Sequence, residues 1–555
     1  MLHGLMMDTQ LTIGSVFEHF ALNHPEQEIV SYSSDGIHRY PVNDFAKRVR
    51  KLANALTALG IKPGDRVASF AWNGYRHLEL YYAVPMVGAV LHTVNIRLFP
   101  AQVSYVLNHA EDKLVFFDAS LTALVEKAVE ADEEKEKQPR GYVSFKKIES
   151  KLTPLYDYEQ LLDEAHSQYV STVSDERQAA MLCYTSATTG EPKGVLYSHC
   201  SIVLHALTTC LPDAMGLSSN DVMLPVVPMF HACSWGYPYA IGMTGSRLVL
   251  NGDIMDGPGL IKIIDAEKVT VSAAVPTVWM RIRDELHKTK DRLKYLQRGL
   301  VGGSALSESL LKDMDNLGIE TMQGYGMTET SPCVSISRRH LKGSLENASP
   351  ELKLATRLKQ GRFFYGVKWR AIDDDGKPIK QDGQAMGELQ YQGPWVTSGY
   401  YNNKAANEFS FSEDGWFRTG DVCSIDEYGY VQLIDRKKDI IKSGGEWISS
   451  VDLENAIAGH EAVKEAAVIA VPHPDWVERP VAVVTLRDGK TATEESIKSW
   501  LSERVAKWWV PDRIMFIDVM PLTGVGKFLK RDLRERFKDV LSEKRVEADA
   551  VKSVE

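Results

Sequence analysis

An α/β fold followed by a smaller α+β block is predicted by three observations. Helix-periodic and strand-like stretches alternate as far as Asp435–Ile441, the pattern of helices layered on largely parallel sheets. Beyond that point the pattern changes, and the remaining residues suffice for one small domain of their own. The composition, 44% hydrophobic and 25% charged over 555 residues, is that of a globular chain and excludes a fibrous or disordered one. At about 150 residues per domain, the length allows two to four domains.

The elements follow in order. Phe45–Leu59 carries apolar residues at helical spacing and stops at Gly60. Arg66–Phe70, Lys113–Asp118 and Arg247–Leu250 are short apolar runs that suit buried strands. Ala179–Tyr184 is another, and it leads into a run of hydroxyls and glycines. Ile261–Lys268 then Val269–Val275 is a helix followed by a strand. The segment Val125–Arg140, VEKAVEADEEKEKQPR, is charged and ends at a proline, so a solvated helix in a surface insertion is expected. In the C-terminal block, Ser450–Ala458 and Thr493–Val505 are expected as helices, and Val463–Val471 and Val481–Arg487 as strands.

Charge and hydropathy narrow the function. The 74 acidic and 64 basic residues leave a formal charge of −10, not the footprint of a nucleic-acid binder. Apolar stretches such as Val222–Phe230 fall short of the ~18–20 residues that span a bilayer. The opening MLHGLMMDTQ lacks a basic, then apolar leader, so no secretory signal is expected. Cys183, Cys200, Cys210, Cys233, Cys333 and Cys423 show no paired spacing, so reduced thiols in the cytoplasm are expected.

Four segments carry chemistry. Tyr184–Val195, YTSATTGEPKGV, offers Thr185, Ser186, Thr188 and Thr189, glycines and Lys193. Hydroxyls and free N–H groups in a turn cradle phosphate oxygens, and a lysine neutralises them. The spacing differs from G-x-x-x-x-G-K-[ST], so a kinase-type loop does not follow. Val301–Leu306, VGGSAL, and Gln323–Glu329, QGYGMTE, supply glycines for close backbone approach to a flat ligand and Tyr325 for stacking a purine. Glu329 adds a hard oxygen suited to Mg²⁺. Gly415–Asp421, GWFRTGD, and Asp435–Ser449, DRKKDIIKSGGEWIS, set a carboxylate after a tight turn, as ribose-binding acids are set. Pro521–Lys530, PLTGVGKFLK, presents Lys527 between glycine-rich and apolar residues. Each segment alone also has a bland reading: a surface loop, a helix entry, a core tyrosine, a solvated lysine.

Together, in this order, the four segments resemble the adenylate-forming superfamily of acyl-CoA synthetases, adenylation domains and luciferases. The resemblance runs from about Val16 to Phe537. Leu224–Ala240, LPVVPMFHACSWGYPYA, and Ile440–Glu454, IIKSGGEWISSVDLE, are similar to bacterial medium- and long-chain fatty acyl-CoA ligases and equally to methylmercaptopropionate-CoA ligases. The resemblance implies two N-terminal α/β subdomains plus a distorted β-barrel, residues 1–437, and a small mobile α+β domain, residues 438–555. It implies two half-reactions: acyl-AMP and pyrophosphate from acid and ATP, then acyl-CoA and AMP.

It also implies roles. Thr185 and Glu329 organise Mg²⁺, and Ser186, Thr188, Thr189, Gly190 and Lys193 hold phosphate. Lys527 bridges carboxylate and α-phosphate, and His231 lies near the acyl carboxylate. Gly303, Ser304 and Ala305 flank the purine, with Gly324, Tyr325, Gly326, Met327 and Thr328. Asp421 and Arg436 bind ribose, Lys438 is the hinge, and Gly444, Gly445 and Glu446 line the pantetheine path. Trp235 gates an acyl pocket whose wall also includes Phe230, Cys233, Tyr237 and Met327. ATP, Mg²⁺ and CoA are the implied cofactor and co-substrates, with a small carboxylic acid as partner and a homodimer as the assembly. Where the family has Thr-Ser-Gly-Thr-Thr-Gly, this chain has Ala187, which costs ~1–2 kcal/mol if the backbone there needs positive φ. The rival readings are a non-catalytic adenylate- or acyl-binding regulator, an amino-acid-activating domain and a luciferase-like oxygenase. HACSW at His231–Trp235 has no carboxylate to pair an ammonium, which disfavours the second.

Overall fold

The computed structural model describes residues 1–132, 139, 141–185, 191–290, 292–341, 343–443, 446–522 and 528–541, with the side chains of 446 and 447 left aside. Among these residues the chain divides into two compact units. The first comprises the described residues of 1–185, 191–368 and 391–417, and the second those of 369–390 and 418–541.

The first unit is built on two sheets, nine- and seven-stranded among the described residues. In the larger, Glu320–Gly326, Arg298–Val301, Val271–Ala274, Val222–Pro225, Arg247–Leu250 and Glu28–Ser33 run parallel, in that spatial order. Antiparallel strands close its two edges. The smaller runs Leu155–Asp157, Gly141–Ser144, Asp112–Phe117, Arg66–Phe70, Val90–Thr93, Ala179–Tyr184, and then antiparallel Gly194–Ser198. The central strands are short and almost wholly buried, as parallel strands covered on both faces must be. Helix Val42–Ala58 turns Phe45, Val49, Leu52 and Leu56 inward at i, i+4, i+7 and i+11. Helix Tyr75–Met86 is buried almost all round. The charged insertion begins as helix Thr122–Glu130, with Val125 and Ala128 inward, and residues 133–138 and 140 lie outside the described set.

The second unit carries a four-stranded sheet, Lys368–Ile372, Gly387–Gln392, Phe417–Ile425 and Val431–Arg436, which lies in this unit over 369–390 and from 418 onward. Where a distorted barrel was expected, these strands form an open sheet, and no sheet closes on itself among the described residues. A second sheet pairs Val463–His473 with Val477–Leu486 along their length. Its remaining strands are Arg513–Phe516, Ile441–Ser443 and Glu446–Ile448. Helix Ser450–Ala458 starts at Ser449, whose hydroxyl accepts from the N–H of Asp452, and helix Glu494–Ser502 starts at Thr493, which caps Ser496.

Candidate functional site

In the first unit the predicted phosphate loop leaves and re-enters the seven-stranded sheet at a clamp. The Thr185 N–H donates to the Lys193 carbonyl at 2.9 Å, and the Lys193 N–H donates to Thr185 Oγ1 at 3.2 Å. The strands on either side, Ala179–Tyr184 and Gly194–Ser198, are antiparallel neighbours, so both ends of the loop are anchored in one ladder. Ser186, Ala187, Thr188, Thr189 and Gly190 fall outside the described residues.

Glu329 sits in a short 3-10 turn, Thr328–Thr330, immediately beyond the strand that bears Tyr325. Its residue is 6% exposed, and Oε1 accepts from the Tyr400 hydroxyl at 2.6 Å. Lys193 Nζ lies 4.8 Å from the centre of the same Tyr400 ring. One phenol therefore touches a carboxylate at its tip and an ammonium on its face. Tyr400 is itself tied to the loop: Val195 bridges Tyr400, and the Tyr401 N–H donates to Gly194 O at 2.8 Å. Lys193 and Glu329, predicted site residues far apart in sequence, thus meet at a residue that sequence reasoning missed, with Thr185 bonded to Lys193. The GYYNN run gave no signal, because a tyrosine there has no periodicity or spacing that ties it to Glu329.

Thr185 and Glu329 are two hard oxygen donors. They are too few to enclose Mg²⁺ by themselves and suit an ion that shares its coordination with phosphate oxygens and water. In that sense the residues fit the ion.

Tyr325 is buried in strand Glu320–Gly326, opposite Ser335. The next residue must be glycine, because a Cβ on Gly326 would stand 1.9 Å from the Pro332 carbonyl oxygen. Gly303, Ser304 and Ala305 follow strand Arg298–Val301 and are exposed. Gly302 was read as room for a flat ligand. The flat group on it is protein: a Cβ there would meet the Trp235 indole at 2.8 Å.

The segment that carries Trp235 is the least regular part of the unit. Ala232, Cys233, Ser234 and Trp235 have φ of 43, 49, 49 and 53°, and Gly236 follows at 79°. Four consecutive non-glycine residues thus form a left-handed turn, at ~1–2 kcal/mol each in backbone preference. His231 precedes this turn with extended backbone and is half-buried. The loop that leads into the turn is fixed from outside. Asn73 Nδ2 donates to the carbonyls of Pro225 and Val227, and its Oδ1 accepts from the Met229 N–H at 2.7 Å. Tyr81 donates its hydroxyl proton to the Met229 carbonyl. A Cβ on Gly236 would stand 2.7 Å from His205 Nδ1. Burial drives the His205 pKa down to about 3, and its Nε2 accepts from the Cys333 N–H, so it is a neutral imidazole.

In the second unit, Asp421 is 4% exposed and pairs with Arg436 across an antiparallel register. Arg436 Nε lies 2.8 Å from Asp421 Oδ1, and Nη1 donates to the Thr419 carbonyl at 3.1 Å. Gly420, just before Asp421 in strand Phe417–Ile425, has φ 69°. The following turn contains Lys438, whose carbonyl accepts from Arg534, and Asp439, which pairs with Arg534. Gly444, Gly445 and Lys527 lie outside the described residues, and of Glu446 only the backbone is described.

Lys530, three residues beyond Lys527, was passed over in the sequence. Its Nζ lies 2.7 Å from Glu454 and 2.6 Å from the Ser450 hydroxyl, while the Ser450 N–H donates to Asp435 Oδ2 at 2.7 Å. Burial pushes the Asp435 and Glu454 carboxyls up. Burial opposes the Lys530 charge, but the neighbouring carboxylates outweigh it and raise its pKa.

The hydroxyl, lysine and carboxylate gathered in the first unit are groups of the kind that hold phosphate and a cation. The family follows from comparison. The chain matches the AMP-binding enzyme family over residues 17–401 and the AMP-binding enzyme C-terminal domain over 452–527, and it belongs to that family. It is 46% identical over 543 residues to the long-chain-fatty-acid–CoA ligase of Thermus thermophilus, covering 96% of this chain and 97% of the relative. It is 41% identical over 550 residues to the 3-methylmercaptopropionyl-CoA ligase of Ruegeria lacuscaerulensis, covering 97% and 99%. Among solved structures, an anthranilate CoA ligase in complex with anthranoyl-AMP shares the fold, with a TM-score of 0.84, 20% identity and coverage of 96% and 99%.

Proposed function

We propose that the chain is an ATP-dependent, AMP-forming acid–CoA ligase whose acid is a medium- or long-chain fatty acid. The observation that carries this reading is Tyr400 between Glu329 and Lys193, beside the clamped ends of the Thr185–Lys193 loop. A carboxylate is a poor acceptor for a thiol because it has no leaving group, and adenylation supplies one. Attack of one anion on another then requires positive charge at the reacting phosphate.

The residues divide that work. Lys193, with Ser186, Thr188, Thr189 and Gly190, holds the phosphates, and Lys527 bridges the acid's carboxylate and the α-phosphate. Thr185 and Glu329 hold Mg²⁺, which when bound neutralises phosphate charge. The Tyr400 hydroxyl fixes the Glu329 carboxylate in one orientation. Tyr325 stacks the adenine beside Gly303–Ala305, Asp421 with Arg436 accepts the ribose hydroxyls, and His231 orients the acyl carboxylate. Gly444, Gly445 and Glu446 line the pantetheine path. The domain boundary belongs to this reading: residues 1–437 adenylate, and 438–555 turn about Lys438 between the half-reactions. The enzyme works in the cytoplasm as a homodimer.

The long-chain acid of the Thermus relative supports the lead substrate. A second reading, a short thioether acid, is supported by the Ruegeria relative. Purified enzyme with ATP, Mg²⁺, CoA and a ladder of acids tests both. AMP, pyrophosphate and acyl-CoA peaking at medium or long chains are expected. A peak at methylmercaptopropionate selects the second reading, and ADP as product overturns both.

A further inference from the structure

The reaction leaves two buried thiols unused. Cys183 is the penultimate residue of strand Ala179–Tyr184, just before Thr185, and Cys233 is the second residue of the left-handed turn. Their Sγ atoms are 3.8 Å apart, and the residues are 1% and 3% exposed. Thr93 Oγ1 stands 3.0 Å from Cys183 Sγ.

We propose that Cys183 and Cys233 form a reversible oxidation site, closing to an intramolecular disulfide that disarms the acyl segment. The oxidant is a small neutral hydroperoxide. One of the two sulfurs, as its thiolate, attacks one peroxide oxygen, the O–O bond breaks, and the departing hydroxide takes a proton and leaves as water, with that cysteine now a sulfenic acid. The other sulfur then attacks it. The S–S bond forms, the S–O bond breaks, and the hydroxyl leaves as a second water with the second thiol's proton. Two electrons pass from the dithiol to the peroxide, and a dithiol reductant reverses the change.

The two sulfurs are mounted unequally. Cys183 is held in a paired strand, opposite Val195 on one side and Thr93 on the other. Cys233 lies in backbone that L-residues disfavour, so the turn is the part that yields. Closing from 3.8 Å to the ~2.05 Å of a disulfide moves the sulfurs together by about 1.7 Å. Trp235 is two residues further on, with its indole against Gly302, so this movement shifts the tryptophan. The effect on the acid rests on the proposed role of Trp235; the cross-link does not.

The test separates the two. Purified enzyme is treated with hydrogen peroxide, then alkylated in denaturant, digested and mapped with and without dithiothreitol. A reducible peptide pair joining Cys183 to Cys233 is expected. Acid-dependent ATP–pyrophosphate exchange should fall about tenfold or more and return with dithiothreitol. Cys183→Ala, compared with its own untreated rate, should keep its exchange. Full alkylation of both cysteines after peroxide overturns the proposal. So does a cross-link that leaves exchange unchanged, or a Cys183→Ala enzyme inactivated as deeply as the parent. If no acid supports exchange at all, the ligase reading fails and the peptide map alone decides the site.

Discussion

The loop supports of the first unit and the lysine cluster of the second hold their polar groups by different means. In the first, functional groups hang on backbone: Thr185 and Lys193 are joined through main-chain atoms, and Asn73 grips three main-chain groups of the 225–229 loop. In the second, Asp435, Ser450, Glu454 and Lys530 hold one another across elements. Backbone anchoring survives loss of one side chain, because the ladder remains. A buried ionic cluster does not, because removal of one charge leaves its partners uncompensated.

The sharpest way to break that contrast uses two lysines three residues apart. Lys530→Met should destabilise the second unit by ~3–5 kcal/mol, because Glu454 and Asp435 lose their shared cation. Calorimetry should show one transition moving down and the other staying put. Movement of both together would mean that the units do not unfold separately. Lys527→Ala should leave both transitions in place and lower adenylation by ~10²-fold or more, while thioester formation from supplied acyl-AMP is spared. Equal loss in the two half-reactions would contradict its assigned step.

His205 sharpens the comparison from the side of the first unit. Burial lowers its folded pKa to about 3, against 6.5 in the unfolded chain. Its contribution to stability is therefore complete above pH 6.5 and is lost as pH falls, because only the unfolded state takes the proton. Between pH 7 and 5 this amounts to about 2 kcal/mol. His205→Gln should be less stable than the parent at pH 7, and urea titrations should show the deficit narrowing by that amount at pH 5. A constant deficit would mean that His205 does not titrate this way. The smallest effect is expected for Tyr400→Phe, which keeps the ring under Lys193 and removes only the hydroxyl. ATP–pyrophosphate exchange should drop about tenfold, with a raised Mg²⁺ requirement. An unchanged Mg²⁺ dependence would separate Tyr400 from the metal-holding role of Glu329.

Regular elements were legible because burial and period agree. Arg66–Phe70, Ala179–Tyr184, Arg247–Leu250 and Ser450–Ala458 form with the bounds read from sequence. Strand Val477–Leu486 starts four residues before its expected Val481, because its exposed end pairs with His473 and lacks the apolar signal. Candidate site residues could be named where the chemistry is written in one short run, as in YTSATTGEPKG or QGYGMTE. The site was illegible where the partner is distant in sequence. Tyr400, Asn73 and Lys530 act through contacts with residues distant in sequence, which no local pattern encodes. The two glycines of VGGSAL carried a real close approach, but the neighbour of Gly302 is an indole. The left-handed turn had no signal, because positive φ is sought at glycine and asparagine, and HACSW has neither.

That turn limits how the proposed acid pocket can be diversified. Positive φ at four successive positions excludes valine, isoleucine and threonine there, since a branched Cβ meets the backbone in this conformation. A saturation library over residues 232–235 should therefore return folded variants bearing unbranched, aromatic, asparagine or glycine side chains, and the β-branched residues should be absent whatever acid is selected for. Chain-length preference would then be retuned by swapping one flat or slender group for another, and broadening toward branched acids would have to come from walls outside this segment.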